Sequence, residues 1–249
     1  MSISYKNGEK KVVVVMPAFN AEKTLRNTYN DIPQEYVDEI ILVDDASKDN
    51  TVELAKSLNL KVIEHKNNGG YGANQKTCYK EALKIDADIV IMIHPDHQYS
   101  PKYIPQLITP ILDGKCDAVF GSRMLGGEFF EGGMPRWKFI ANVFLTAIEN
   151  IVLGMFLTEC HSGLRAYSAK YLKTIKFQKN SNDFVFDTEI IVQGIHNKLK
   201  IYEIPIETRY FDDASQIGFG KSLKYGLSIL LVMGKFMFHK HKLKKYSIL

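Results

Sequence analysis

Asp88-Ile-Val-Ile-Met-Ile-His-Pro-Asp-His-Gln-Tyr-Ser-Pro101 is the stretch on which the reading of the fold turns. Ile89 to Ile93 is an unbroken apolar run rich in β-branched residues, the pattern of a strand covered on both faces inside a parallel sheet. The run stops at His94. In an extended segment His94, Asp96 and Gln98 fall at i, i+2 and i+4 and share one face, which would offer an imidazole nitrogen and side-chain oxygens to a ligand. In open α/β sheets ligands bind beyond the carboxyl ends of strands, where this cluster is expected. A polar strand-to-helix loop, with Pro101 starting the next helix, has the same composition.

Upstream, Val12 to Met16 reads as a buried strand, and Pro17-Ala-Phe-Asn20 ends it before a helical stretch from Ala21 to Asp31. A strand, a turn and a helix N-terminus suit a nucleotide or phosphate. Glu39 to Val43 is a second strand, closed by Asp44-Asp45-Ala-Ser-Lys-Asp-Asn-Thr51. Ser47 and Asp49 are expected to cap the helix Thr51 to Leu58, which leaves Asp44 for ligand contact. A short strand, Lys61 to Glu64, opens onto the glycine-rich Asn67-Asn-Gly-Gly-Tyr-Gly-Ala-Asn74. That spacing fits neither the dinucleotide nor the P-loop pattern, although its backbone amides could approach a ligand closely. Asn74 and Lys76 either face a nucleotide or form the ordinary first turn of the helix Ala73 to Lys84. The order β-α-β-α-β-α-β, with polar or acidic residues at strand ends, predicts a doubly wound, mostly parallel α/β sheet with one cleft.

Downstream, a helix is expected over Tyr103 to Leu112 and a strand over Ala118 to Phe120, followed by Gly121-Ser-Arg123 and the glycine pairs Gly126-Gly127 and Gly132-Gly133. An arginine beside glycine suits an anionic ligand. Arg136 opens an amphipathic stretch, Trp137 to Leu157. Glu159-Cys-His-Ser-Gly-Leu-Arg-Ala-Tyr167 is a polar turn leading into a strand, and Phe184 to Glu189 enters a helix with Asp187 or Glu189 aimed at the cleft. Glu203 to Arg209 carries Pro205, which marks an edge strand. Arg209 then precedes a loop that runs to the final helix.

The 249 residues suffice for one large α/β domain, and a formal net charge of +4 does not argue for nucleic acid. Cys78, Cys116 and Cys160 are widely spaced, as expected of reduced thiols. Met1 to Lys11 is polar, so no signal peptide is expected and the chain is placed in the cytoplasm. Trp137 to Leu157 and Leu223 to Phe238 are greasy, but Lys138, Glu149, Lys224 and Lys235 interrupt them, and neither supplies the ~20 apolar residues of a membrane span. Either can lie on a bilayer at its cytoplasmic face, and the basic end His239 to Lys245 suits anionic headgroups.

Val-Val-Met-Pro-Ala-Phe-Asn20, Val43-Asp-Asp-Ala-Ser-Lys-Asp-Asn-Thr51, His94-Pro-Asp-His-Gln98, Gly121-Ser-Arg123, Ser162-Gly-Leu-Arg165 and Glu203-Ile-Pro-Ile206 together resemble the family 2 glycosyltransferases, and among them the polyprenyl-phosphate (dolichol-phosphate mannose synthase-like) sugar transferases. The similarity spans roughly residues 11 to 220 in the family's motif order. It implies a GT-A, Rossmann-like fold, with residues 1–220 as the catalytic domain, 137–157 as an acceptor-side helix, and 221–249 as an amphipathic helix with a basic tail. It implies a UDP- or GDP-linked sugar donor bordered by Pro17, Ala18, Asn20 and Glu22, with Asp44 near the base; Asn74 joins these on the nucleotide-facing reading of its helix start. It implies a divalent cation, Mg²⁺ or Mn²⁺, at Asp96 and Gln98, with His94 standing where the family has its first acidic residue; an imidazole there favours Mn²⁺. On the same pattern Arg123 stabilises the leaving diphosphate, helped by Arg209, and Arg136 and Arg165 position a lipid phosphate. The expected reaction is metal-dependent, inverting transfer to a polyprenyl phosphate. A saccharide hydroxyl acceptor, which would need Asp187 or Glu189 as base, and a non-catalytic nucleotide-sugar binding protein are the alternatives.

Overall fold

A computed structural model of the chain describes residues 10–127, 130, 133–208 and 218–249. The strands are β1 (Val12–Ala18), β2 (Glu39–Asp44), β3 (Lys61–Glu64), β4 (Ile89–Met92), β5 (Ala118–Ser122), β6 (Arg165–Ser168) and β7 (Ile201–Pro205). Between and after them lie α1 (Leu25–Asn30), α2 (Thr51–Ser57), α3 (Tyr71–Lys84), α4 (Ile104–Leu112), α5 (Arg123–Gly126), α6 (Arg136–Leu153), α7 (Ala169–Thr174), α8 (Phe186–His196) and α9 (Phe219–Lys240).

The strands form one seven-stranded sheet in the order β3-β2-β1-β4-β6-β5-β7. All neighbours are parallel except β6, which runs antiparallel between β4 and β5. β1 is fully buried, and its residues alternate between two cores. Val13 and Val15 pack with α3, α8 and α9 through Tyr79, Phe186 and Ile229, whereas Val12, Val14 and Met16 pack with α1 and α4 through Leu25 and Leu107. A strand covered on both faces must be apolar at every position, hence the continuous runs in the sequence.

The chain reverses direction across the sheet at β1, which pairs with β2 on one side and β4 on the other. This is the topological switch point, where a crevice opens beyond the carboxyl ends of the strands. At the opposite edge the same acidic residue recurs. Asp38, Asp88 and Asp117 each stand immediately before a strand and accept a backbone amide from the start of a neighbouring one: Val12 N at 2.7 Å, Lys11 N at 2.8 Å and Lys200 N at 2.9 Å.

The segment after β4 departs from the extended geometry expected. The strand ends at Met92, Pro95 and Asp96 form a turn, and His97 takes a left-handed conformation (φ 56°). His94, Asp96 and Gln98 therefore do not alternate along a straight strand. Ser47 does not cap α2 either, because its hydroxyl accepts the Asn20 amide; Asp49 alone meets the start of that helix, at Thr51 N.

α6 and α9 pack against each other on the far side of the cleft. α9 sends Ile229, Val232, Met233 and Phe236 into the core, and Tyr246 and Ile248 follow them. Among the described residues no helix is long and apolar enough to cross a membrane. The three cysteines are buried and free.

Candidate active site

The crevice is a cleft of about 740 Å³ lined from β1, β4, α3, α6, α8 and α9. One side is the turn after β1. Asn20, at φ 52°, donates its amide to Ser47 Oγ (2.8 Å) and accepts Lys48 N through Oδ1 (2.8 Å). Pro17, Ala18 and Asn20 line the cleft. Glu22 does not: its carboxylate is taken up by Asn50, at 2.8 Å from the side-chain amide. Asn74 touches the cleft but acts as a strut, its Nδ2 donating to the carbonyls of Ala18 and Val43.

The two aspartates after β2 divide their roles in an unexpected way. Asp45 lines the cleft and is saturated by Gly69 N (2.8 Å), Gly70 N (2.9 Å) and His65 Nδ1 (2.7 Å). The glycine-rich loop therefore gives its amides to this carboxylate rather than to a ligand. Asp44, expected at the ligand, does not line the cleft: it is buried, accepts Ser47 N through Oδ2, and leaves Oδ1 with no partner. Lys76 turns away, with its ammonium on Asn182 Oδ1 and the Asn180 carbonyl.

At the centre, His94 is wedged between Tyr71 and Gly163. Its ring stacks on Tyr71 (5.5 Å between centroids), and its Nε2 lies 3.3 Å from the Tyr71 hydroxyl. A Cβ on Gly163 would stand 2.6 Å from His94 Cδ2, so the close approach of the 160–164 turn needs glycine there. Burial pushes the His94 imidazole below its ordinary range, against the opposing pull of Asp96 and Asp187. Asp96 accepts the Gln98 amide through Oδ1 (3.0 Å), and both residues line the cleft. Among the described residues no three His, Cys, Asp or Glu side chains converge to hold a cation by themselves. Asp96 and the Gln98 amide oxygen fit a Mg²⁺ or Mn²⁺ ion only if a ligand supplies further oxygens, as phosphates do for Mg²⁺.

Asp187 reaches the cleft from the start of α8. It is already engaged by the Tyr71 hydroxyl (2.8 Å), by Gln75 Nε2 (3.1 Å) and by Arg165, whose Nη1 lies 3.7 Å away. Glu189, expected beside it, lies outside the lining: it accepts Ser181 N (2.6 Å) and the Tyr246 hydroxyl (3.1 Å), and burial raises its carboxyl. Arg165 likewise lies outside the lining. It has no exposed surface, lies over the Phe120 ring, and donates to the carbonyls of Ser162 and Cys160. A buried guanidinium that holds two carbonyls and faces a carboxylate locks the turn preceding β6.

Arg123 does reach the cleft, with its guanidinium and backbone amide both on Glu159. Burial alone would raise Glu159, but Arg123 beside it takes the carboxyl below its ordinary value. Arg136 is an exposed residue at the first position of α6 and does not line the cleft; Arg209 lies outside the described residues. In their place the lining contains cations that sequence reasoning passed over: Lys138, Lys221 and Lys224, the last paired with Asp183 at 2.7 Å. Tyr71 and His161 were also missed. Tyr71 sat in a glycine run read for its backbone, and the lysines belong to amphipathic stretches in which a charge normally marks the solvated side.

Known proteins agree with this geometry. The model of the family described as Glycosyl transferase family 2 matches residues 13–176. The UDP-N-acetylglucosamine--dolichyl-phosphate N-acetylglucosaminyltransferase of Methanococcus voltae is 33% identical over 91% of this chain and 98% of its own length. The dolichyl-phosphate hexose transferase of Haloferax volcanii is 27% identical over 85% of this chain and 92% of its own. Glucosyl-3-phosphoglycerate synthase from Mycobacterium tuberculosis, solved with uridine diphosphate, superposes with a TM-score of 0.71 at 19% identity, covering 92% of this chain and 80% of that one. The sheet order with its single antiparallel strand, the cleft at the switch point and these matches show that the chain is a glycosyltransferase belonging to Glycosyl transferase family 2.

Proposed function

We propose that the chain transfers a sugar from a UDP- or GDP-linked donor to a polyprenyl phosphate at a membrane face, with inversion and with a divalent cation, Mg²⁺ or Mn²⁺. The observation that carries this reading is the division of the cleft. Its β1–β2 side is lined by Pro17, Ala18 and Asn20, with an unsatisfied acceptor, Asp44 Oδ1, buried behind them, and its far side is cationic and built from helices whose outer faces are apolar.

On the donor side, Asp44 Oδ1 is suited to the N–H of a nucleotide base, because a buried carboxylate oxygen without a partner is costly until something donates to it. Pro17, Ala18 and Asn20 border the nucleotide, with Asn74 holding the two strand ends at fixed spacing. Asp96, with Gln98, holds the ion against the diphosphate; when bound, the ion stabilises the charge that develops on the leaving group. Arg123 adds a fixed positive charge. Names of relatives support the reading: they include dolichyl- and undecaprenyl-phosphate sugar transferases, and a related fold has been solved with Mn²⁺ and UDP-glucose.

The state of Asp187 favours a phosphate acceptor over a sugar hydroxyl. A hydroxyl must lose a proton to a base, and Asp187 is tied to Tyr71, Gln75 and Arg165. A phosphate oxygen arrives anionic and needs only positioning, which Lys138 and Lys221 supply. In this reading residues 1–220 form the catalytic unit, with 137–157 on the acceptor side, and 221–249 complete the acceptor wall.

α6 and α9 also supply the approach to a bilayer. Trp137, Ile140, Phe144 and Ile151 on α6 and Leu223, Leu227 and Leu231 on α9 are exposed, with Ile151 82% accessible and Phe156 98%. Lys138, Lys221 and Lys224 lie on the same helices at the cleft. Amphipathic helices with basic residues bind anionic lipid surfaces in this way.

The test is a donor screen by mass spectrometry with UDP- and GDP-sugars, with and without a polyprenyl phosphate and Mn²⁺. Formation of a polyprenyl-phosphate sugar is expected, and it should cease on chelation of the metal. Transfer to saccharides alone would replace the acceptor assignment. Co-flotation with anionic vesicles, with a blue shift of Trp137, the single tryptophan, tests the membrane face.

A further inference from the structure

Glu149 is the residue of α6 that the acceptor wall does not explain. It lies in the middle of a greasy helix with no exposed surface, and neither of its oxygens receives a hydrogen bond of good geometry. Its near neighbour is His161, whose Nε2 is 3.1 Å from Glu149 Oε2, within ion-pair distance but without the alignment of a hydrogen bond.

The other ring nitrogen reveals how the proton is held. Asn142 donates Nδ2 to Glu159 at 2.6 Å. Arg123 keeps Glu159 ionised, so the nitrogen of this amide, and not its oxygen, must face that carboxylate. Asn142 Oδ1 is thereby turned toward Thr146 Oγ1 and His161 Nδ1, each 3.2 Å away. An oxygen acceptor opposite Nδ1 requires a hydrogen on Nδ1. A neutral ring would then present a bare lone pair at Nε2 to a carboxylate, which is repulsive. One proton therefore belongs to the pair, on Nε2 or on Oε2. The remaining neighbours leave it there: Tyr225 of α9 meets the ring edge-on at 5.8 Å, and the Cys160 thiol is pushed well up by burial first and Glu149 second.

The geometry points to a proton that the His161–Glu149 pair holds in common and carries on Nε2, which makes the imidazole the cationic end of a buried ion pair in the wall of the cleft and a positioning residue for the anionic acceptor. His161 lines that wall with Arg123 and Lys138. The chain Arg123–Glu159–Asn142–His161–Glu149 ties the positive edge of the cleft to two positions on α6. The assignment rests on the phosphate-acceptor reading for its role and on hydrogen-bond logic for its proton.

The two parts are tested separately on the full chain. Long-range ¹H–¹⁵N spectra of ¹⁵N-histidine protein at neutral pH should show both His161 nitrogens hydrogen-bearing, the signal being assigned by its loss in the double variant Glu149→Leu/His161→Phe. Glu149→Gln lets the new amide donate to Nε2 and leaves a neutral ring. The KM for the polyprenyl phosphate should then rise about five- to tenfold, with kcat and the donor KM within about twofold. The double variant should raise the acceptor KM equally without loss of Tm, because apolar replacement of a buried pair is often neutral or stabilising. A neutral His161 with bare Nε2 overturns the shared proton. An unchanged acceptor KM in both variants overturns the positioning role. If the unaltered protein transfers to no polyprenyl phosphate, the acceptor reading fails while the spectrum still decides the proton.

Discussion

Aspartates stand at both ends of the sheet, and the two sets have different surroundings. At the amino edge Asp38, Asp88 and Asp117 each close onto a neighbouring strand's amide, and Asp88 and Asp117 add a lysine. At the carboxyl edge Asp44 keeps an oxygen without a partner, and Asp96 spends one oxygen on a local turn. The first arrangement fastens strands where no ligand comes. The second holds a buried oxygen, on Asp44, whose need the protein leaves open, at a cost that a donor would remove, and a half-buried carboxylate, Asp96, that faces the cleft. Asp45, filled by Gly69, Gly70 and His65, breaks the pattern, and so does Asp187, which lies in the cleft but is satisfied like the acids at the base.

That exception gives the largest expected effect. Asp187→Asn removes the carboxylate facing a guanidinium with no exposed surface, and should cost about 3–5 kcal/mol in denaturant unfolding. A loss of turnover with full stability would instead make Asp187 a base and revive the hydroxyl acceptor. Next, Asp96→Asn should lower turnover by about a hundredfold or more with Tm unchanged, and should abolish Mn²⁺-dependent donor binding in calorimetry. If the variant loses stability but keeps turnover, Asp96 belongs with the acids of the base.

Asp44→Asn should raise the donor KM by about tenfold while leaving Tm equal or higher, since an under-satisfied buried charge is removed. Asp117→Ala should do the reverse, losing about 1–2 kcal/mol with kinetic constants intact. The smallest effect concerns pH. Burial opposes ionisation of Asp117, but the Lys200 amide and Lys170 hold its carboxyl below the usual 3.8. A depressed carboxyl contributes stability above its unfolded value, and that contribution is lost as pH falls through the folded one. Below about pH 4 the decline in Tm should therefore be shallower in Asp117→Ala, by roughly 1–2 °C. Equal slopes would place the acid sensitivity elsewhere.

Much of the fold was legible because buried parallel strands must be apolar throughout. Val12 to Met16, Glu39 to Val43 and Ile89 to Ile93 announced β1, β2 and β4 to within a residue or two. The antiparallel β6 was not legible as such, since Arg165-Ala-Tyr-Ser168 carries a charged residue whose burial depends on Asp187 and the Phe120 ring. At the site, a motif marks a position in the chain but not what the side chain meets. Asp96, Gln98 and Arg123 reach the cleft, whereas Glu22, Glu189 and Arg165 carry the right chemistry and spend it on Asn50, Tyr246 and two carbonyls.

The sequence by itself determined the run of strands and helices, the expectation of one cleft at the strand ends and the family, because hydrophobic period and strand-end composition are local properties of the chain; the switch point at β1 came from the sheet order. Only the tertiary structure decided which polar groups remain available. The turn at Pro95 broke the expected row of His94, Asp96 and Gln98, and Gly163 brought the 160–164 turn against His94. The fold also carried His161, distant from Glu149 in the chain, to within 3.1 Å of it. Whether a carboxylate is a ligand or a fastener depends on how many donors surround it in space, and hydrogen-bond satisfaction is a property of the folded neighbourhood.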